Sequence, residues 1–292
     1  MTLATRVTHI ELERAWRALE AGTFRDQAAV SDEPLGGGPV FTGPVVVVAG
    51  CHGWAGTSTA ALMLAEAYAR RGTPVRILDA AAASRSGFAA ASATEHGLDE
   101  SGRWRLGSRG QVAVHRSAGP FAGVIDVPPP PTVADDTVTV VDTGWPIADL
   151  LASSRTHWLP RLLLHAPLLL TARPSVPGLR HVEVTLEALP TSTSRLTQPF
   201  VLLLGARRGW QQAATGALLP AAEHEGRVHL VPQHGGLASA GLTPGPLPRQ
   251  LHPVGDRLAE LTAPTAAPAA APAAELTEVL LHDLTHRKDS PS

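Results

Sequence analysis

Residues 50–59 read GCHGWAGTST, after an apolar run at 45–50 and before an alanine-rich helical pattern. A glycine-rich turn between a buried strand and a helix aims several backbone N–H groups at one point. It binds phosphate whatever its side chains are. Ser58 and Thr59 add hydroxyls, of which one typically meets a magnesium ion. Two carboxylates follow: Asp79 ends one strand-like run and Asp142 ends another. If those strands flank the loop strand, both acids lie at its mouth, an arrangement suited to a metal and an attacking water. The charge expected beside a phosphate is missing. Loops of this type normally carry a lysine where Thr57 stands, and of the 24 Lys and Arg residues only Lys288 is a lysine. His52 is cationic only in part near neutral pH, and Arg207 or Arg208 could reach the site from a neighbouring loop.

Other residue groups have competing readings. Cys51 and His52 are adjacent, so their side chains point apart, and no third partner for a cysteine nucleophile is identifiable. The 13 histidines show no paired metal-ligand spacing. Asp79 and Asp142 could each merely cap a helix. Trp54 could cover a base or simply pack. The segment GRWRLGSRG at 102–110 reads as an exposed loop with charge-balancing arginines, or as a nucleic-acid contact by charge and stacking. With 24 basic against 26 acidic residues no preference for polyanions follows. A single cysteine, Cys51, excludes an internal disulfide and fits a reducing cytoplasm. Glu11, Glu13 and Arg14 interrupt any signal core, and the apolar stretch 159–172 is broken by Pro160, Arg161, His165 and Pro167, so no membrane span is expected.

These residues need positioning elements. Strand-like runs occupy 45–50, 75–80, 111–116, 122–127, 138–143, 167–172, 199–205 and 227–232. Helical patterns occupy 57–71, parts of 147–164, 176–189, parts of 208–223, and 247–261. The 176–189 segment puts Leu179, Val182, Leu186 and Leu189 on one face. Continuous apolar strands alternating with helices predict an α/β domain at 44–262: three layers, α/β/α, around a mainly parallel sheet. Ligands in such sheets sit at the carboxyl ends of the strands. Outside the domain lie an amphipathic helix within 1–22, with Thr8 and Glu11 as a capping box, and a glycine-rich linker at 23–43. An Ala/Pro spacer follows at 263–274, then a helix within 275–292. The terminal helices are candidates for docking a protein partner.

Loop, Asp79 and Asp142, in this order, resemble the ParA/MinD group of P-loop ATPases, whose loop reads xKGGxGKT(T/S). Aligned from the C-terminal end, His52 takes the place of the group's signature lysine and Thr57 that of its phosphate-binding lysine. Gly53 and Gly56 match glycines, Trp54 replaces one, Ala55 takes the variable place, and Ser58 and Thr59 match the hydroxyl pair. Cys51 stands where the general pattern has its first glycine. ILDA (77–80) resembles the strand ending in aspartate and VVDTG (140–144) the Walker B strand. The 168–189 segment resembles the strand and helix that follow. FVLLLGARR (200–208) and HLVPQHGGLASAGL (229–242) resemble the base-proximal strands and loops, with Gly205 near where the group often has an adenine-reading asparagine. The chain is also similar to actinobacterial ParA-like proteins whose loops read roughly HGGAGxST.

The resemblance implies ATP and Mg2+ as ligands. Residues 52–59 and Pro232 would line the nucleotide, Ser58, Asp79 and Asp142 would hold the metal, and Asp79 and Asp142 would serve the chemistry. It also implies a homodimer and a role in DNA partition, plasmid or conjugative-element maintenance, or partner positioning. Losing a charge-assisted hydrogen bond costs about 1.5–3 kcal/mol, or roughly ten- to a hundredfold in affinity. Three readings follow: a switch or scaffold that binds nucleotide weakly or not at all, an ATPase with a substitute cation, or a nucleotide-independent interaction protein.

Overall fold

The computed structural model describes residues 41–154, 156–189, 198–205, 209–213 and 216–263. The expected terminal helices, most of the first linker, the spacer beyond Ala263, and Arg207 and Arg208 lie outside the described residues.

β1 (Val45–Gly50) is a run of β-branched residues, and from Val46 onward it is buried, as a strand covered on both faces requires. A loop leads to α1 (Thr57–Arg70), then β2 (Val75–Asp79), β3 (Thr94–Leu98), β4 (Trp104–Arg109), β5 (Val112–Ser117) and β6 (Val138–Pro146). Next come α2 (Ile147–Ala152), α3 (Trp158–Leu162), β7 (Leu168–Ala172), α4 (Val176–Ala188) and β8 (Phe200–Leu204). The described chain finishes with α5 (Leu218–His224), β9 (Val228–Val231), α6 (Gly235–Ala240) and α7 (His252–Leu261). The strands form one nine-stranded sheet in the order β3-β4-β5-β2-β6-β1-β7-β8-β9. The expected three-layer α/β/α architecture is what the chain adopts. Pairings from β5 through β9 are parallel, whereas β3–β4 and β4–β5 are antiparallel.

One core lies under α1 and α7. The α1 residues Ala60 to Ala65 are buried there together with Val46, Val48, Ile77 and Leu258. The two helices meet closely because Gly255 has no side chain: a Cβ there would fall 2.7 Å from the Met63 carbonyl oxygen. The opposite core holds Leu78, Val141, Leu170, Leu179, Val182 and four tryptophans, Trp104, Trp145, Trp158 and Trp210. Leu179 and Val182 lead the buried face of α4, with Leu186 and Leu189 packed at its margin.

Two expectations fail here. Residues 122–127 are not a strand. Asp126 accepts from the backbone N–H groups of Ala122 and Gly123 and folds Val124–Asp126 into a 3-10 turn. The segment 102–110 is not an exposed loop. It holds β4, with Trp104 1% exposed and Arg109 buried and bonded to Glu66 at 3.0 Å, so the tryptophan serves the core. Between β5 and β6 a proline run takes the place of a covering helix. The Trp104 indole N–H donates to Pro129 O at 2.9 Å, the Trp158 indole N–H donates to Val127 O at 3.1 Å, and the buried Arg76 guanidinium donates to Thr139 and Pro131.

Candidate phosphate-binding site

The site begins where β1 ends. β6 and β7 flank β1, with Val48 opposite Asp142 and Gly50 opposite Thr171. β2 lies beyond β6, and Asp79 stands opposite Asp142. The topology therefore brings the loop and both aspartates to the carboxyl ends of neighbouring strands, where α/β sheets bind ligands.

Close packing fixes the loop. A Cβ on Gly50 would lie 2.9 Å from Thr57 Oγ1, and Gly56 (φ +89°) would drive one to 2.3 Å from the Leu204 side chain. Trp54 takes the left-handed conformation (φ +62°) with its side chain 95% exposed, so it packs against no core. Ala55 is buried, while Gly53 is exposed with open space around its Cα. At the start of α1 no side chain caps the helix and no acid stands in its first turn, so nothing there competes with an anion for the first N–H groups.

The hydroxyls at the helix start have distinct partners. Thr57, in the lysine position, pairs with Thr171 of β7, Oγ1 to Oγ1 at 3.1 Å. Ser58 Oγ donates to Asp142 Oδ2 at 2.6 Å. Thr59 lies one residue further into α1 and is half-buried. Asp142 Oδ1 accepts from the Gly144 N–H, and Asp79 accepts from Ser86 Oγ at 2.5 Å and from the Ala81 N–H. Neither aspartate caps a helix. Both are buried beneath the loop rather than open to solvent at its mouth. Burial raises both carboxyl pKa values, and the neighbouring Asp142 charge raises Asp79 further. The segment after β2 closes tightly over Ser58: a Cβ on Gly87 would lie 2.3 Å from Ser58 Oγ.

His52 is tied down at both ring nitrogens. Its Nδ1 donates to the Gly53 carbonyl at 2.7 Å, and its Nε2 accepts from the Arg173 backbone N–H at 3.1 Å. The ring thus fixes the loop. Cys51 is buried, and burial pushes its thiol up to about 12, which excludes a thiolate nucleophile here.

Sequence reasoning missed Arg173, the first residue past β7. Its Nε donates to the Trp54 carbonyl at 3.4 Å, and its Nη1 would lie 3.4 Å from a Cβ on Gly205. The signal was a charged residue just past the carboxyl end of an apolar strand. Pro232 stands in the exposed turn after β9, next to the Gln233 that approaches Gly205. A cavity of about 420 Å³ lies beside Gly205, lined by Pro174, Val176, Gly209 and Trp210 and by none of the residues 50–59.

Comparison with known proteins places this arrangement. No family model matches the chain, and no curated protein matches it. Among solved structures it is similar to a ParA family ATPase from Chlorobium tepidum at 14% identity and a TM-score of 0.50, covering 74% of this chain and 98% of that one. It is also similar to the cell division ATPase MinD of Pyrococcus furiosus at 16% identity, with a TM-score of 0.47 and coverage of 75% and 99%. A third similar structure is a Borrelia burgdorferi plasmid partition protein bound to AMPPNP, at 11% identity, TM-score 0.46, and coverage of 75% and 98%. The sheet order, the glycine loop between β1 and α1, and the match to the Chlorobium protein agree: this chain has the ParA/MinD-like P-loop ATPase fold.

Proposed function

We propose that the chain is a ParA/MinD-like switch or scaffold whose loop binds Mg-ATP weakly and hydrolyses it slowly or not at all. The observation that carries this reading is the pairing at the helix start. Ser58 and Asp142 stand 2.6 Å apart as a metal-binding pair would, while Thr57 is tied to Thr171 instead of offering a cation.

The residues fit the implied ligand in part. The glycine cradle at Gly50 and Gly56 has no room for side chains, and uncapped N–H groups face the loop. The Ser58 hydroxyl and Asp142 carboxylate are hard oxygen donors of the kind magnesium takes. Bound magnesium would neutralise phosphate charge. Asp79 bonds to Ala81 and Ser86 and not to Ser58, so its role in this reading is to hold the β2 end and the 81–87 segment in place beside Ser58. Backbone N–H groups at residues 53–59 bind and orient the phosphates, with His52 fixing the loop. Phosphoryl transfer depends on stabilising charge that develops in the transition state, and a loop without lysine does this poorly. A homodimer, a protein partner and a part in DNA partition or plasmid maintenance belong to the same proposal, by resemblance.

Calorimetric titration with Mg-ATP and a turnover assay test it. The expected result is binding in the high micromolar to millimolar range and turnover far below ordinary family ATPases. Thr57→Lys should tighten binding by roughly ten- to a hundredfold. Turnover at ordinary family rates, abolished by Asp142→Asn, would instead establish an active ATPase. No binding at millimolar ATP, with no gain from Thr57→Lys, would leave a nucleotide-independent interaction protein.

A further inference from the structure

The phosphate-binding reading above leaves a deficit of charge. Backbone N–H groups and hydroxyls hold a polyphosphate less firmly than charge-assisted bonds do, and residues 50–59 include no lysine or arginine. Arg70, Arg71, Arg109, Arg116, Arg227 and Arg257 are committed to carboxylates. Among the described residues, no carboxylate lies within ion-pair distance of Arg173.

Three features aim this arginine at the loop. β7 pairs directly with β1, and the Cys51 N–H donates to Thr171 O at 2.9 Å just where the loop departs. Arg173 follows β7 directly, two residues after Thr171, the residue that holds Thr57. Its guanidinium already lies against the loop, but the bond to Trp54 O is 3.4 Å, long for N–H···O, and the acceptor is neutral. Phosphate oxygens accept from a guanidinium more strongly and in a bidentate fork. Gly205 keeps the space beside Nη1 free of a side chain.

We infer that Arg173 is the phosphate-binding cation of this loop, reaching it from the end of β7 in place of the lysine that Thr57 replaces. The inference rests on the proposed nucleotide site and adds to it the residue that carries the charge.

The test is calorimetry on the full chain with Mg-ATP and, separately, inorganic tripolyphosphate. Arg173→Gln should weaken both by about ten- to a hundredfold, and Thr57→Lys added to Arg173→Gln should restore them. If Arg173→Gln fails to fold, phenylglyoxal labelling of the wild-type chain with peptide mapping replaces it; tripolyphosphate should then protect Arg173. Wild-type affinity in Arg173→Gln, or equal labelling with and without tripolyphosphate, overturns the assignment and leaves the nucleotide reading standing. A loss that Thr57→Lys does not restore also overturns it, because the arginine is then only holding the Trp54 carbonyl. If the wild-type chain binds neither ligand, the nucleotide reading and the assignment fall together.

Discussion

Trp54 holds a backbone conformation that a side chain resists, and its exposed ring gains no burial in return. A non-glycine residue in the left-handed region costs roughly 1–2 kcal/mol. Trp54→Gly should therefore stabilise the protein by about 1 kcal/mol, a thermal midpoint about 2–4 °C higher. An unchanged or lower midpoint in differential scanning calorimetry would mean the ring is making contacts that offset the strain. Individual residues were legible in the sequence to very different degrees. Ser58, Asp79 and Asp142 stood out because their places at strand and helix ends are tied to the apolar pattern. The conformation of Trp54 left no mark, and neither did the hydrogen bond that holds the His52 ring. That bond comes from the backbone of Arg173, which is 121 residues away in the chain. Arg173 was hidden for the same reason: nothing local says that β7 lies beside β1.

At the scale of elements, the parallel strands were readable because burial on both faces makes them continuous apolar runs. The edge hairpin was not. β3 is TEHGL, exposed at every position, and β4 is WRLGSR, with two arginines, a glycine and a serine among its six residues, so neither has an apolar run to announce it. Residues 122–127 misled in the opposite way: the apolar pattern is there, but Asp126 turns it into a 3-10 turn. The contact between α1 and α7 is another matter of close approach. A Cβ on Gly255 would press on the Met63 backbone, which cannot give as a flexible side chain would. Gly255→Ala should cost about 1–3 kcal/mol in urea denaturation, as overpacking does. A neutral or stabilising result would mean that the two helices slide apart at little cost.

For the whole molecule, the buried aspartates couple stability to pH. Both carboxyls sit above their ordinary value of 3.8 because burial disfavours their charged forms. A folded-state pKa above the unfolded one means that the native protein holds protons the unfolded chain has released. Their contribution is then complete below the unfolded value. It declines as pH rises through the weakly acidic range and is lost above the raised folded values. Asp79→Asn removes one such group and the like charge facing Asp142. The stability difference between pH 5 and pH 8, measured by urea unfolding, should be smaller in Asp79→Asn than in wild type. Equal differences would show that the pair does not retain a proton in the native state.

The threonine pair at the foot of α1 bears on the empty protein as well as on ligand binding. A lysine at position 57 would place a cation against the positive end of a helix dipole, an arrangement disfavoured by about 0.3–1 kcal/mol. It would also remove a hydrogen bond worth about 1 kcal/mol. Thr57→Lys should therefore melt at a lower temperature than wild type when no phosphate is present, and recover or exceed it when phosphate is added. By this account the start of α1 is suited to resting empty: Thr57 and Thr171 satisfy each other, and the helix start holds no cation of its own.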